Sequence, residues 1–276
     1  MTTTEDTRGH LDAATVVVLG LGNIGSAVAE RLVAAGEEVV GVDPIEAART
    51  GFAERTGAAT AANLDDVGLA ERASVFVVVR MADEALAVLD GLAGRATDLT
   101  AFVLTTFDTG SAARLAAPRA GVRVIELPVS GGRQGALDGT LTVMTAGPLE
   151  AADRQLLERT IAGRVVEFEQ YGHPTAAKLH NNALAALHAV AHAHVIELAA
   201  ANGVDPARLA EVIENGSAQS WMGTNLAVVV DDLLVKDVEL FEQCFGELDP
   251  VGLRGDRGLE PSLRRARALL SGSVAN

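Results

Sequence analysis

A doubly wound α/β domain followed by an all-α domain is the architecture this sequence predicts, on three observations. Short, nearly continuous apolar runs alternate with amphipathic stretches through the first half of the chain. Turn residues bound each run. Past Gly172 the alternation gives way to an alanine- and leucine-rich helical texture. Such alternation marks a parallel sheet with helices on both faces, whose strands, buried on both sides, read as unbroken apolar runs. With 276 residues, the chain has the length for one large domain or two ordinary ones, each burying its own core.

The elements follow in order. Residues 1–14 are polar, carry Glu5 and Asp6, lack the basic flank and apolar run of a signal peptide, and read as a flexible tail. Runs 15–19, 39–42, 74–79, 101–104 and 122–125 read as strands. Between the first two, Ala27, Val28, Leu32 and Ala35 recur at helical spacing. These units make a first domain over 15–171. From 175 to 201 neither glycine nor proline interrupts the helical pattern, so a long inter-domain helix opens a second domain over 172–276. Asp205 before Pro206 reads as an N-cap with proline at the first helical position. Loops are expected near Gly216 and between Gly246 and Gly258.

Composition excludes several partners. A formal charge of −15, from 37 acidic against 22 basic residues, disfavours nucleic acid and anionic membrane, since phosphate binding needs clustered Lys and Arg. The one basic cluster, Arg264, Arg265 and Arg267, reads as a solvated helix face. Aromatic residues make up 3% of the chain, too few for stacking platforms. No run of about 18 uninterrupted apolar residues suggests a membrane span. Cys244 is the single cysteine, so neither an internal disulfide nor a zinc cluster is expected, and a reducing, cytoplasmic setting fits.

The first strand runs directly into Gly20-Leu21-Gly22-Asn23-Ile24-Gly25 and then into a helix. In that context Gly20 permits a tight turn, Gly22 lets backbone approach a pyrophosphate, and Gly25 lets helix and strand pack closely. The helix N-terminus supplies free N–H groups for the phosphates. Asp43 ends the second strand, where a carboxylate accepts hydrogen bonds from the adenosine ribose of NAD and repels the extra phosphate of NADP. NAD is therefore the expected cofactor, with NADP kept open by Arg49, six residues on.

Two further groups of residues carry chemistry. After the strand at 122–125, Ser130-Gly131-Gly132 offers successive N–H groups and a hydroxyl to an anion such as a substrate carboxylate, although an ordinary turn has the same composition. Lys178 and Asn182 lie four residues apart on the long helix and share a face. A lysine in an apolar cleft can exchange a proton with a substrate hydroxyl, whereas an isolated one at a helix start is commonly a solvated surface residue.

Together with Pro128-Val129, Gly135-Ala136, Gly139-Thr140-Leu141, Lys178-Leu179-His180-Asn181-Asn182 and Lys236-Asp237, these motifs resemble the β-hydroxyacid dehydrogenases, collinearly from about residue 15 to 240. The resemblance implies a Rossmann-type first domain, a small hydroxyacid substrate, hydride transfer to or from a nicotinamide, and a homodimer or higher homo-oligomer. It implies that Lys178 is the general acid/base, Asn182 orients the substrate, and Ser130, Gly131 and Gly132 hold its carboxylate. Met81, Thr106 and Lys236 would contact the cofactor. Three departures stand out: His173-Pro174 for a second glycine, Glu126 for an aspartate, and Thr109 for a proline. The segment from Phe245 to Arg257 does not follow the family's final helices. His188 and His192, at i and i+4, lack a third ligand nearby and read as packing or interface residues, and Trp221 as packing or pocket wall. An imine reductase on the same plan, which generally lacks this lysine, and a non-catalytic NAD sensor, which needs no proton donor, are the alternatives.

Overall fold

The computed structural model describes residues 11–227, 231–248 and 258–270. The chain divides into two compact units, Met1–Lys178 and Leu179–Asn276.

In the first unit, β1 (Leu11–Leu19), α1 (Asn23–Ala34), β2 (Val39–Val42), α2 (Glu46–Thr56), β3 (Ala59–Ala61) and β4 (Val67–Val77) are followed by α3 (Ala82–Leu92), β5 (Asp98–Val103), α4 (Thr109–Ala113) and β6 (Val122–Glu126). The six strands are parallel, in the order β3-β2-β1-β4-β5-β6. The order reverses between β1 and β4, and the crevice outside the carboxyl ends at such a switch point is where doubly wound sheets take ligands. Apolar side chains cover both faces: Val18, Leu32, Phe52 and the stacked pair Phe76 and Phe102 on one, Val17, Val75, Leu89 and Leu115 on the other. Burial on both faces is why these strands carry no polar alternation.

Several expectations are corrected. Strand β1 begins at Leu11, so residues 11–14 belong to the sheet and not to the tail, while residues 1–10 lie outside the described residues. Strand β4 stops at Val77; Val79 follows it, with its carbonyl accepting the Thr105 hydroxyl at 2.9 Å. A second sheet went unread: β7 (Val129–Ser130), β8 (Leu141–Thr145) and β9 (Ala162–Glu167), in the order β7-β8-β9, with α5 (Gly132–Asp138) and α6 (Ala151–Arg159) in the connections. Its signals are weak, because β7 has two residues and β9 buries only Ala162.

Helix α7 (His173–Ala201) starts in the first unit and continues into the second. Pro174 sits in its first turn, where a backbone N–H has no intrahelical partner, so the His173-Pro174 departure costs the helix nothing. The second unit also contains α8 (Pro206–Asn215), α9 (Trp221–Thr224), α10 (Asp231–Phe245) and α11 (Leu259–Leu270). Asp205 caps α8 as read, accepting from Ala207 N at 2.9 Å. Ala186, Ala189, Val190, Ala193 and Ile196 of α7 form a core with Met222, Leu226, Leu234 and Leu263. By length and mean hydropathy (1.4) α7 would suit a membrane span, but one stripe of it is spent on this core. The basic cluster is not simply solvated: Arg265 donates to Glu197 at 2.8 Å and Arg267 to the Leu226 carbonyl at 2.9 Å. Trp221 is exposed, not a core residue. Most of the loop expected between Gly246 and Gly258 lies outside the described residues.

Candidate active site

The glycine turn joins β1 to α1, and each glycine has a separate cause. Gly20 has φ +95°, and a Cβ there would strike the Val78 carbonyl oxygen. A Cβ on Gly25 would strike the Gly20 carbonyl oxygen, so this residue lets α1 press onto the turn. Gly22 is different: its φ is −66° and a Cβ would meet nothing within 4 Å. Open space over that backbone suits a group arriving from outside, and α1 has no acidic residue in its first turn to oppose an anion. The turn thus fits a dinucleotide pyrophosphate.

At the end of β2, Asp43 is 8% exposed, its carboxylate accepting from Leu21 N and Ile45 N, both at 2.8 Å. These bonds hold the acid against the turn while each oxygen retains acceptor capacity for a ribose hydroxyl. Arg49 does reach back: its Nη1 donates to the carbonyls of Asp43 (2.7 Å) and Pro44 (3.0 Å). Met81, before α3, is 54% exposed, and Ile45, before α2, is 64% exposed. They follow β4 and β2, the two neighbours of β1, so two large apolar side chains flank the turn. Ile45 was not singled out from sequence; an apolar residue between Pro44 and a polar helix was the available signal. At the end of β5 Thr105 is buried and committed to Val79, leaving half-buried Thr106 beside it. Asp108 caps α4 by accepting from Ser111 N at 2.9 Å, and Thr109 occupies the first helical position, where proline is well accommodated.

Strand β6 ends on Glu126, which is fully buried. Its carboxylate accepts from Gly172 N at 2.6 Å and Thr175 N at 2.9 Å, capping the start of α7. Burial pushes its pKa up, against the hydrogen bonds from Thr175 and Gly172 that favour the ionised form. Nearby, Tyr171 OH donates to the Val124 carbonyl at 2.7 Å. The start of α7 is therefore stitched to the end of β6. Half-buried Lys178 lies about one turn further along α7. From β6 the chain proceeds to Ser130, Gly131 (φ +129°) and Gly132 (φ +65°), a left-handed pair that turns the backbone into α5.

In the second unit, Asn182 Nδ2 donates to Asp237 Oδ2 at 2.6 Å, and Asn182 Oδ1 accepts from Asn181 Nδ2 at 3.1 Å. Asp237, buried and without an assigned role in the sequence reading, thus orients the Asn182 amide. Lys236 is half-buried beside it on α10. His180 packs on Phe241 and Phe245, with ring centroids 5.0 and 4.5 Å apart. His192 shares a 2.7 Å hydrogen bond with the His188 carbonyl and packs against Gly223. The first unit brings Gly20–Gly25, Asp43, Met81 and Thr106 to the carboxyl ends of neighbouring strands of the six-stranded sheet and carries Ser130–Gly132 at the end of β7 in the other sheet, whereas Asn182 and Lys236 belong to the second unit.

Residues 15–161 match the family described as the NAD binding domain of 6-phosphogluconate dehydrogenase, and residues 172–243 that described as the NAD-binding domain of NADP-dependent 3-hydroxyisobutyrate dehydrogenase. The chain belongs to the β-hydroxyacid dehydrogenase family. Among β-hydroxyacid dehydrogenases it is 33% identical over 219 residues to L-threonate dehydrogenase of Cupriavidus necator, covering 75% of this chain and 72% of that one. It is 30% identical over 215 residues to 3-hydroxyisobutyrate dehydrogenase of Pseudomonas aeruginosa, covering 75% and 71%. A solved 3-hydroxyisobutyrate dehydrogenase from Salmonella typhimurium shares the fold, with a TM-score of 0.71 at 23% identity over 94% of this chain and 93% of that one. This β-hydroxyacid dehydrogenase is an NAD(P)-dependent oxidoreductase, and its relatives favour neither an imine reductase nor an NAD sensor.

Proposed function

We propose that this enzyme oxidises a small β-hydroxy carboxylate, or reduces the matching aldehyde or ketone, with Lys178 as general acid/base. The observation that carries the reading is the Glu126 clamp. By capping α7 at Gly172 N and Thr175 N, it holds the turn of helix bearing Lys178 at the end of the strand that leads into Ser130–Gly132. A proton-transfer group and an anion-binding loop so arranged suit a substrate with a carboxylate near a hydroxyl. The N–H groups and hydroxyl of Ser130–Gly132 bind the carboxylate, Lys178 takes the hydroxyl proton, and Asn182, oriented by Asp237, positions the alcohol. NAD, when bound, supplies the hydride acceptor. Gly20, Leu21, Gly22, Asn23, Ile24 and Gly25 hold its pyrophosphate, Asp43 its ribose, Ile45 and Met81 its adenine, and Thr106 and Lys236 its remaining contacts.

NAD is the preferred cofactor because the Asp43 carboxylate would accept hydrogen bonds from the adenosine ribose hydroxyls and repel the extra phosphate of NADP; Arg49, held at the same strand end, leaves NADP a weaker alternative. The enzyme acts in the cytoplasm as a homodimer. Support for the dimer comes from α7, where Leu184, His188, Ala191, Val195 and Leu198 recur at spacings of four and three, the repeat of a helix–helix seam, on the side away from its core stripe.

Lys178→Ala tests the central role. Turnover of 3-hydroxyisobutyrate or L-threonate, whichever the wild type oxidises, should fall by about 10²–10⁴-fold with NAD affinity nearly intact. Near-normal turnover by that variant would sink the assignment.

A further inference from the structure

Arg133, the residue after the Ser130–Gly132 loop, is bonded to the glycine turn more than a hundred residues earlier. Its Nη1 donates to the Asn23 carbonyl and to the Ser26 hydroxyl, both at 2.8 Å, and its Nη2 lies 3.3 Å from the Glu30 carboxylate. Asn23 is the first residue of α1 and lies within the turn. Ser26 is buried, and its N–H donates to the Gly22 carbonyl at 2.9 Å, so its hydroxyl is anchored to the same turn. Glu30 is shared with Arg55 of α2 at 3.0 Å. One planar guanidinium therefore spans the loop on α5 and the turn on α1.

We propose that Arg133 is a positioning residue that locks the substrate-carboxylate loop to the pyrophosphate turn and adds positive charge for the dinucleotide. The inference rests on the reading of those two segments given above. Two physical arguments carry it. A guanidinium at the positive end of a helix is electrostatically unfavourable unless an anion also occupies that end. Glu30 offsets part of that cost in the free protein, and a pyrophosphate would offset more. Hydride transfer also requires the reacting carbons within about 3–3.5 Å, so the two segments that fix substrate and cofactor must keep a constant separation. Arg133 bonds the second residue of α5 directly to the first turn of α1. The fork matters as well as the charge: three acceptors on one helix are met by two nitrogens of one rigid group, which the single ammonium of lysine does not reproduce.

The test uses calorimetric NAD and NADP binding, and steady-state kinetics with 3-hydroxyisobutyrate or L-threonate, on the full chain. Arg133→Ala should weaken NAD binding by about tenfold, raise KM for the hydroxyacid similarly and lower kcat by about tenfold, because the two segments lose their fixed separation. Arg133→Lys should recover part of the NAD affinity, through its charge, but not the hydroxyacid KM. A merely structural role would instead lower Tm and leave both constants unchanged in the folded fraction. Ser26→Ala, which removes one acceptor, should shift NAD binding in the same direction by less, and decides the matter if Arg133→Ala does not fold. Unchanged NAD affinity in Arg133→Ala, or in Ser26→Ala in that event, overturns the proposal alone. A wild type that binds neither dinucleotide overturns the reading of the site as well.

Discussion

Glu126 shows how one side chain changes meaning between sequence and fold. In sequence it is a substitution for an aspartate. In the structure it is a buried acceptor for two N–H groups 46 and 49 residues away. Glu126→Ala leaves both donors unpaired in a dry environment, at a cost of about 2–5 kcal/mol. The acid also imprints a pH dependence. Burial raises its pKa in the folded chain, so the protonated form is favoured by folding. Its contribution is complete below the ordinary carboxylate range and is lost as pH rises through the raised value. Glu126→Gln cannot ionise and should lack this component. The Tm of wild type minus that of Glu126→Gln, measured in thermal melts across that range, should shrink as pH rises; parallel curves would refute the assignment. Asp237 makes the same point more quietly, since its neighbour Lys236 carries the familiar motif while Asp237 itself orients Asn182.

Elements separate what holds the turn together from what it holds. Gly20 and Gly25 are required by backbone beneath and beside them, whereas Gly22 has neither strain nor a neighbour to explain it. Gly22→Ala should therefore fold with a Tm close to wild type yet bind NAD much more weakly, because its methyl group occupies the approach of the pyrophosphate. Gly25→Ala should lose stability, since its Cβ must displace the Gly20 carbonyl. Calorimetry and thermal melts on the two variants distinguish these cases; unaltered NAD binding by Gly22→Ala would place the phosphates elsewhere. The strands around the turn were legible because burial on both faces leaves a continuous apolar run in the chain. The second sheet was not, because β7 has two residues and β9 buries only Ala162, too little to write a pattern on either side of β8.

For the whole molecule, the exposed α7 stripe predicts association. Light scattering should give a mass about twice 28.5 kDa, and Leu198→Glu, altering a residue 50% exposed on that stripe, should yield a monomer. A monomeric wild type would rule out the seam. The sequence by itself determined the α/β first domain, the glycine turn with its acid at Asp43, and the long helix that carries Lys178 and Asn182. All of these depend on residues close together in the chain, where spacing and geometry are nearly the same thing. Only the tertiary structure decided that Glu126 fastens β6 to α7, that Asp237 orients Asn182, and that Arg133 reaches the turn at Asn23 and Ser26. Those contacts join residues 46 to 110 positions apart, and a hydrogen bond across such a separation leaves no period in the sequence.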